Sequence, residues 1–127
     1  MTAVKLSNLR SLKAIGRRSQ RGRKEWGFLV IWQFQVRPGM QKRFRRVYGP
    51  RGDWVQLFVR DDAYVTTELV REPDTASYVT LDFWTSQSAY EAFRKQHRAE
   101  YRAIDLKCEG LTESEQEIGR FVRAAKQ

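Results

Sequence analysis

Few side chains in this 127-residue sequence can move a proton near neutral pH, and the single histidine stands out among them. His97 falls on a helical stripe with Ala89, Tyr90, Phe93, Tyr101 and Ile104. A neutral imidazole among such apolar neighbours can accept a phenolic or enolic proton. The plainer reading is a core histidine bonded to a tyrosine or a carbonyl. Glu68 and Asp82 form a second candidate pair, expected nearly opposite each other on neighbouring strands, where like charges repel. Either Arg37, another arginine or a partner chain neutralises them, or they are a coupled pair sharing a proton for acid–base work.

Aromatic groups surround these candidates. Trp32, Phe34, Phe44, Tyr48, Trp54, Phe58, Phe83, Phe93, His97 and Tyr101 are expected to line a hollow between a sheet and its helices. Tyr48 and Tyr101 can position a substrate hydroxyl, and Trp54 and Trp84 can stack on an aromatic ring. The alternative is that the same side chains simply fill a core.

Other chemistry is bounded by what the chain lacks. Cys108 is the only cysteine, so no intrachain disulfide can form and a reducing compartment fits. With one cysteine and one histidine, a zinc site built from Cys and His pairs is excluded within one chain. No nucleotide-binding glycine loop is present. No metal and no cofactor is expected. No apolar run approaches the ~20 residues that cross a bilayer, so a soluble, cytoplasmic protein is expected.

Eight of the nine net positive charges sit in residues 1–24, which hold no acid. Residues 1–25 are therefore read as a flexible basic extension, and 26–127 as one nearly neutral domain. The extension could touch an anionic partner such as nucleic acid, or resemble a transit peptide, or be dispensable. The domain lacks the exposed basic-aromatic pattern of a nucleic-acid platform.

The elements that position the candidates follow from periodicity. Phe28–Val36 alternates, with Phe28, Val30, Trp32, Phe34 and Val36 on one face. Arg37-Pro38-Gly39 ends that strand and opens a helix with Met40, Phe44, Val47 and Tyr48 inward. Gly49 to Gly52 breaks it, and Asp53 is expected to cap a short helix carrying Trp54, Leu57 and Phe58. Strands 64–71 and 78–84 form a hairpin, with Val65, Thr67, Leu69, Val79, Leu81 and Phe83 expected beneath the helices. Ser86 or Ser88 caps the major helix, which Gly110 stops. Thr112 and Glu115 match a capping box for one further turn. Glu117–Val122 is the last strand, bulged at Gly119. The second sheet face then carries Leu29, Ile31, Gln33, Gln35, Tyr64, Thr66, Glu68, Tyr78, Thr80, Asp82 and Trp84. It is too apolar to stay in water, and a second copy of the chain is expected to cover it.

Three segments together resemble the antibiotic biosynthesis monooxygenase family of the dimeric α+β barrel group. They are Val30-Ile31-Trp32-Gln33-Phe34-Gln35-Val36-Arg37-Pro38-Gly39, then Tyr48-Gly49-Pro50 with Gly52-Asp53-Trp54, then Thr80-Leu81-Asp82-Phe83-Trp84 with Ser88-Ala89-Tyr90-Glu91-Ala92-Phe93. The resemblance covers about Trp26 to Phe121. It implies an α+β, ferredoxin-like βαββαβ protomer: a four-stranded antiparallel sheet with helices on one face, paired through the sheets into a homodimeric barrel. Some members oxidise phenols or quinols with dioxygen and no cofactor, the substrate anion itself giving up the electron. On that pattern a small aromatic, polyketide or quinol compound would bind against Trp32, Gln33, Phe34, Tyr48, Trp54, Trp84, Phe93 and Tyr101, with His97 as base and Gln33, Tyr48 and Tyr101 orienting it. Other members degrade haem, using an Asn on the first strand, a Trp ending the third and a His on the next helix. Trp84 matches that Trp, but Gln33 and Gln35 stand on the first strand. A non-catalytic, small-ligand-binding or stress-related module of the same fold is the alternative.

Overall fold

Strand β1 (Phe28–Val36) is the spine of the sheet, hydrogen-bonded on one side to β3 (Ser77–Trp84) and on the other to β4 (Thr112–Val122). β2 (Tyr64–Arg71) pairs with the outer edge of β3, giving the antiparallel order β2-β3-β1-β4. This computed structural model describes residues 25–125; the expected basic extension lies, apart from Glu25, outside the described residues. Helices α1 (Gln41–Tyr48) and α2 (Asp53–Phe58) follow β1, and α3 (Gln87–Gln96) and α4 (Arg98–Cys108) follow β3. All four contribute to one core with the sheet through Phe44, Trp54, Phe58, Tyr90, Phe93 and Cys108. The architecture is the α+β, ferredoxin-like βαββαβ plan. Among the described residues no helix is long and apolar enough to cross a membrane.

The register sets which side chains share a face, and it reverses one expectation. Phe28, Val30, Trp32 and Phe34 pair directly with Trp84, Asp82, Thr80 and Tyr78, so these eight point to the same side, under the helices. Val79, Leu81 and Phe83 face away, not inward. The inward set is anchored by its ends. Trp84 is fully buried among Phe58, Tyr64, Tyr90 and Phe93. Tyr78 is buried because its hydroxyl is satisfied, donating to Gln41 Oε1 and accepting from Arg45, each at 2.7 Å. On β2 an irregularity between Tyr64 and Thr66 turns Tyr64 inward, against Phe58 and Trp84. Past it, Thr67 and Leu69 pair with Asp82 and Thr80 on the helix side. Glu68 pairs with Leu81, so Glu68 and Asp82 lie on opposite faces and are not a coupled carboxylate pair.

Three further boundaries shift. Thr112 opens β4 and no helical turn forms there, because Val36 and Gln35 already offer ladder partners to Thr112 and Ser114. The expected bulge is present: Ile31 pairs with Gly119 and Trp32 with Glu117, leaving Ile118 extra. Gly52, not Asp53, is the N-cap of α2, and the Asp53 carboxylate takes Lys107 Nζ at 2.6 Å. A Cβ on Gly52 would run into the carbonyl oxygens of Val47 and Arg46, so the close turn from α1 into α2 requires glycine. The long helix also divides at His97, whose backbone (φ −110°, ψ 31°) leaves helical geometry while Ser86 caps the first half through the Ala89 N–H at 3.2 Å.

The second sheet face reads in rows across the strands. Thr66, Phe83, Leu29 and Phe121 form one, Glu68, Leu81, Ile31 and Gly119 the next. It is more apolar than expected, since Leu81 and Phe83 replace Asp82 and Trp84 there. Phe121 is 45% exposed on it. One carboxyl oxygen of Glu68 is buried without a hydrogen-bond partner, and burial raises that carboxyl above its ordinary range.

Candidate functional site

The two polar positions between Tyr78 and Trp84 have a purpose in the packing. Thr80 and Asp82 floor a cavity of about 370 Å³. Trp32 and Phe34 of β1 and Thr67 of β2 complete the floor, and Tyr48, Trp54, Phe58 and Tyr101 close over it from the helices. Arg94, Asp105, Glu109 and Glu115 stand around the rest. The aromatic walls are mutually braced: Trp54 lies 4.9 Å from the Tyr101 ring, and Phe34 4.8 Å from Tyr48.

Asp82 is the titrating group at the floor. Tyr64 Oη donates to Thr67 Oγ1 at 2.7 Å, and Thr67 Oγ1 donates to Asp82 Oδ1 at 2.7 Å. Among the described residues no basic side chain pairs with this carboxylate. Burial pushes its pKa up to about 7, with the Thr67 hydrogen bond pulling the other way. A carboxylate poised there is matched to proton transfer at neutral pH. Tyr48 and Tyr101 are held protonated by burial, so they act as neutral hydroxyls. Asp105 and Glu115 are raised by burial too, Glu115 further by the charge of Asp105, while Arg94 draws Asp105 back.

Of the residues singled out from sequence, Trp32, Phe34, Tyr48, Trp54 and Tyr101 line the cavity. Trp84 and Phe93 are buried behind it as core. Gln33 is on the opposite sheet face, where its Nε2 donates to Ser77 Oγ at 3.2 Å. His97 is also outside the lining. Its ring lies on Phe93 at 4.7 Å and its Nδ1 is 3.5 Å from Glu100 Oε2. Phe93, which packs on Phe58 and Tyr101, stands between it and the cavity. The residues present do not fit a haem: the lone histidine does not reach the cavity, and the first-strand Gln33 points away from it.

Sequence reasoning missed Asp82 as a cavity residue, with Thr67, Thr80 and Arg94. The available signal was the pattern Tyr78-x-Thr80-x-Asp82-x-Trp84. Aromatic groups bracket two short polar ones, which leaves room where a solid core would need bulk.

No protein-family model matches the chain, and no curated protein matches it. Solved structures do. SnoaB from Streptomyces nogalater, a cofactor-independent oxygenase, is 24% identical, with 80% of this chain and 96% of that one covered and a TM-score of 0.61. A dimeric ferredoxin-like protein from an uncultured marine organism is 11% identical over 81% of this chain and 92% of its own, TM-score 0.58. A Chloroflexus aurantiacus protein named among the antibiotic biosynthesis monooxygenases is 12% identical over 79% and 95%, TM-score 0.53. These likenesses show a shared ferredoxin-like α+β fold.

Proposed function

We propose that this protein is a homodimeric, cofactor-independent monooxygenase that oxidises a small aromatic quinol or phenol in the cavity between sheet and helices. One observation carries this: Asp82, with no basic partner among the described residues, sits at the floor of an aromatic cavity of about 370 Å³, where burial pushes its carboxyl up to about 7. The likeness to SnoaB supports the same reading at the level of fold.

Asp82, rather than His97, is the base. It takes the phenolic proton, and the resulting anion, stacked between Trp32 and Trp54, is electron-rich enough to pass one electron to dioxygen. The two radicals combine at a ring carbon that bears hydrogen, forming a C–O bond, and the peroxide anion takes the proton back from Asp82 to become a hydroperoxide. Loss of water then breaks the O–O bond and the C–H bond at that carbon and leaves a carbonyl, with one oxygen atom in the product and the other in water. The proton that Asp82 returned goes out with that water. Tyr48 and Tyr101 offer donors to the oxyanion. Burial of the site strengthens each of these interactions.

A panel of anthrones and hydroquinones, followed with an oxygen electrode under air and by spectrum under nitrogen, tests this. Oxygen uptake linked to quinone formation is expected. Tight retention of such compounds with no uptake would make the protein a ligand-binding module instead.

A further inference from the structure

Arg94 faces two spaces. It lines the aromatic cavity and also an outer groove of about 490 Å³ between α3, α4 and β4. Tyr101 and Asp105 line both as well, so groove and cavity adjoin at these three side chains. Its charge is one-sided. Lys95, Arg98, Arg102 and Arg120 join Arg94 there, against Glu91 and Asp105. Arg120 is engaged by Glu117 at 2.9 Å. Among the described residues no carboxylate oxygen lies within 4.0 Å of a charged nitrogen of Arg94, Lys95, Arg98 or Arg102.

Tyrosines rather than a salt bridge fix Arg94, with Asp105 near enough for the two charges to interact. Its NH1 donates to Tyr90 Oη at 3.1 Å, and its guanidinium lies 4.2 Å from the centre of the Tyr101 ring. A planar cation is thereby held, with no carboxylate in salt-bridge contact, at the boundary between cavity and groove. The cavity itself carries the opposite bias through Asp82, Asp105, Glu109 and Glu115. A carboxylate that is charged on entry is favoured in the basic groove over the acid-lined cavity, where the hydroxyl enters neutral and gives its proton to Asp82, and that contrast selects one orientation.

Resting on the oxygenase reading of the cavity, we propose that the substrate is an aromatic hydroxy compound bearing a carboxylate. Its ring and hydroxyl enter toward Asp82, and its carboxylate stays in the groove on Arg94, with Arg98 and Arg102 beside it. A bidentate guanidinium–carboxylate contact suits that position.

Calorimetric titration of the full chain with 2-naphthol and with 6-hydroxy-2-naphthoate tests this without requiring turnover. The naphthoate is expected to bind about tenfold more tightly, roughly the value of one well-made charge-assisted contact. Added salt should shrink the difference. The double variant Arg98→Ala, Arg102→Ala, altering two exposed side chains, should reduce the naphthoate's advantage and leave 2-naphthol binding unchanged. Equal affinity for the two compounds, or an advantage the double variant does not touch, overturns the carboxylate assignment while the aromatic cavity stands. If neither compound binds, both readings fall. A single-stranded oligonucleotide that displaces the naphthoate, and is itself lost in the double variant, would give the groove to a polyanion and also overturn it.

Discussion

Asp82 combines two properties that pull against each other, a reactive pKa and a cost in stability. Its carboxyl is raised from the ordinary 3.8 to about 7 by burial. A raised carboxylate pKa means the folded state prefers the protonated form. The stability this group contributes is therefore present at acid pH and is lost as pH climbs from about 4 to about 7. The full loss is at most roughly 4 kcal/mol. Asp82→Asn removes the titration, so above neutral pH the variant should melt higher than the parent, and below about pH 4 the two should converge; thermal melts across that range measure it. His97→Ala makes the contrasting case. With its ring behind Phe93, its loss should lower the melting temperature and change kcat/KM by less than about threefold, far below the ~100-fold or more expected for a general base. His97 looked catalytic in the sequence because helical spacing puts it in line with Phe93 and Tyr101. Spacing gives direction along a helix axis, but not which neighbour fills the space in front. Asp82 was singled out as an acid–base candidate but on the wrong face, paired with Glu68 on the partner side of the sheet, because only the register with β1 puts it under the helices.

At the scale of elements, the order of strands and helices and most of their limits were legible. β2 matches its expected span, and the apolar alternation of β1 named its inward face correctly. β3 was ambiguous because both of its faces are partly apolar, and only pairing with β1 decides between Val79-Leu81-Phe83 and Tyr78-Thr80-Asp82-Trp84. The irregularity in β2 could not be read either, since it depends on how Tyr64 packs against Phe58 and Trp84 rather than on a turn residue. The α1–α2 junction gives a clean test. Gly52→Ala places a methyl against two backbone carbonyls that cannot move independently of α1. It should destabilise the fold by about 2 kcal/mol, in the range of overpacking at a tight contact, as read by urea denaturation. Because Tyr48 and Trp54 flank that junction, ligand affinity should fall with it.

For the whole molecule, one sheet face floors the cavity and the other carries Leu29, Ile31, Leu81, Phe83 and Phe121 in adjacent rows. Leu81 and Phe83 are already buried in the single chain, Leu29 and Ile31 are half-buried and Phe121 is 45% exposed, so the apolar surface left for a partner is Leu29, Ile31 and Phe121. A second copy packed there would hide this face and stiffen the sheet whose opposite side holds Asp82 and Trp32. Ile31→Lys, at the centre of that surface, should give a monomer by light scattering, and a parent that is itself monomeric at micromolar concentration would count against the pairing. The mixed signs around the cavity, acidic within and basic along α3 and α4, belong to this scale as well, since they come from separate elements that only the fold assembles. The most direct measurement is oxygen consumption with a quinol substrate as a function of pH, for the parent and for Asp82→Asn. The expected result is kcat/KM rising with pH through about 7 in the parent, and a rate at least ~100-fold lower in the variant with that rise gone. An Asp82→Asn protein that consumes oxygen like the parent, with the same pH dependence, would contradict it.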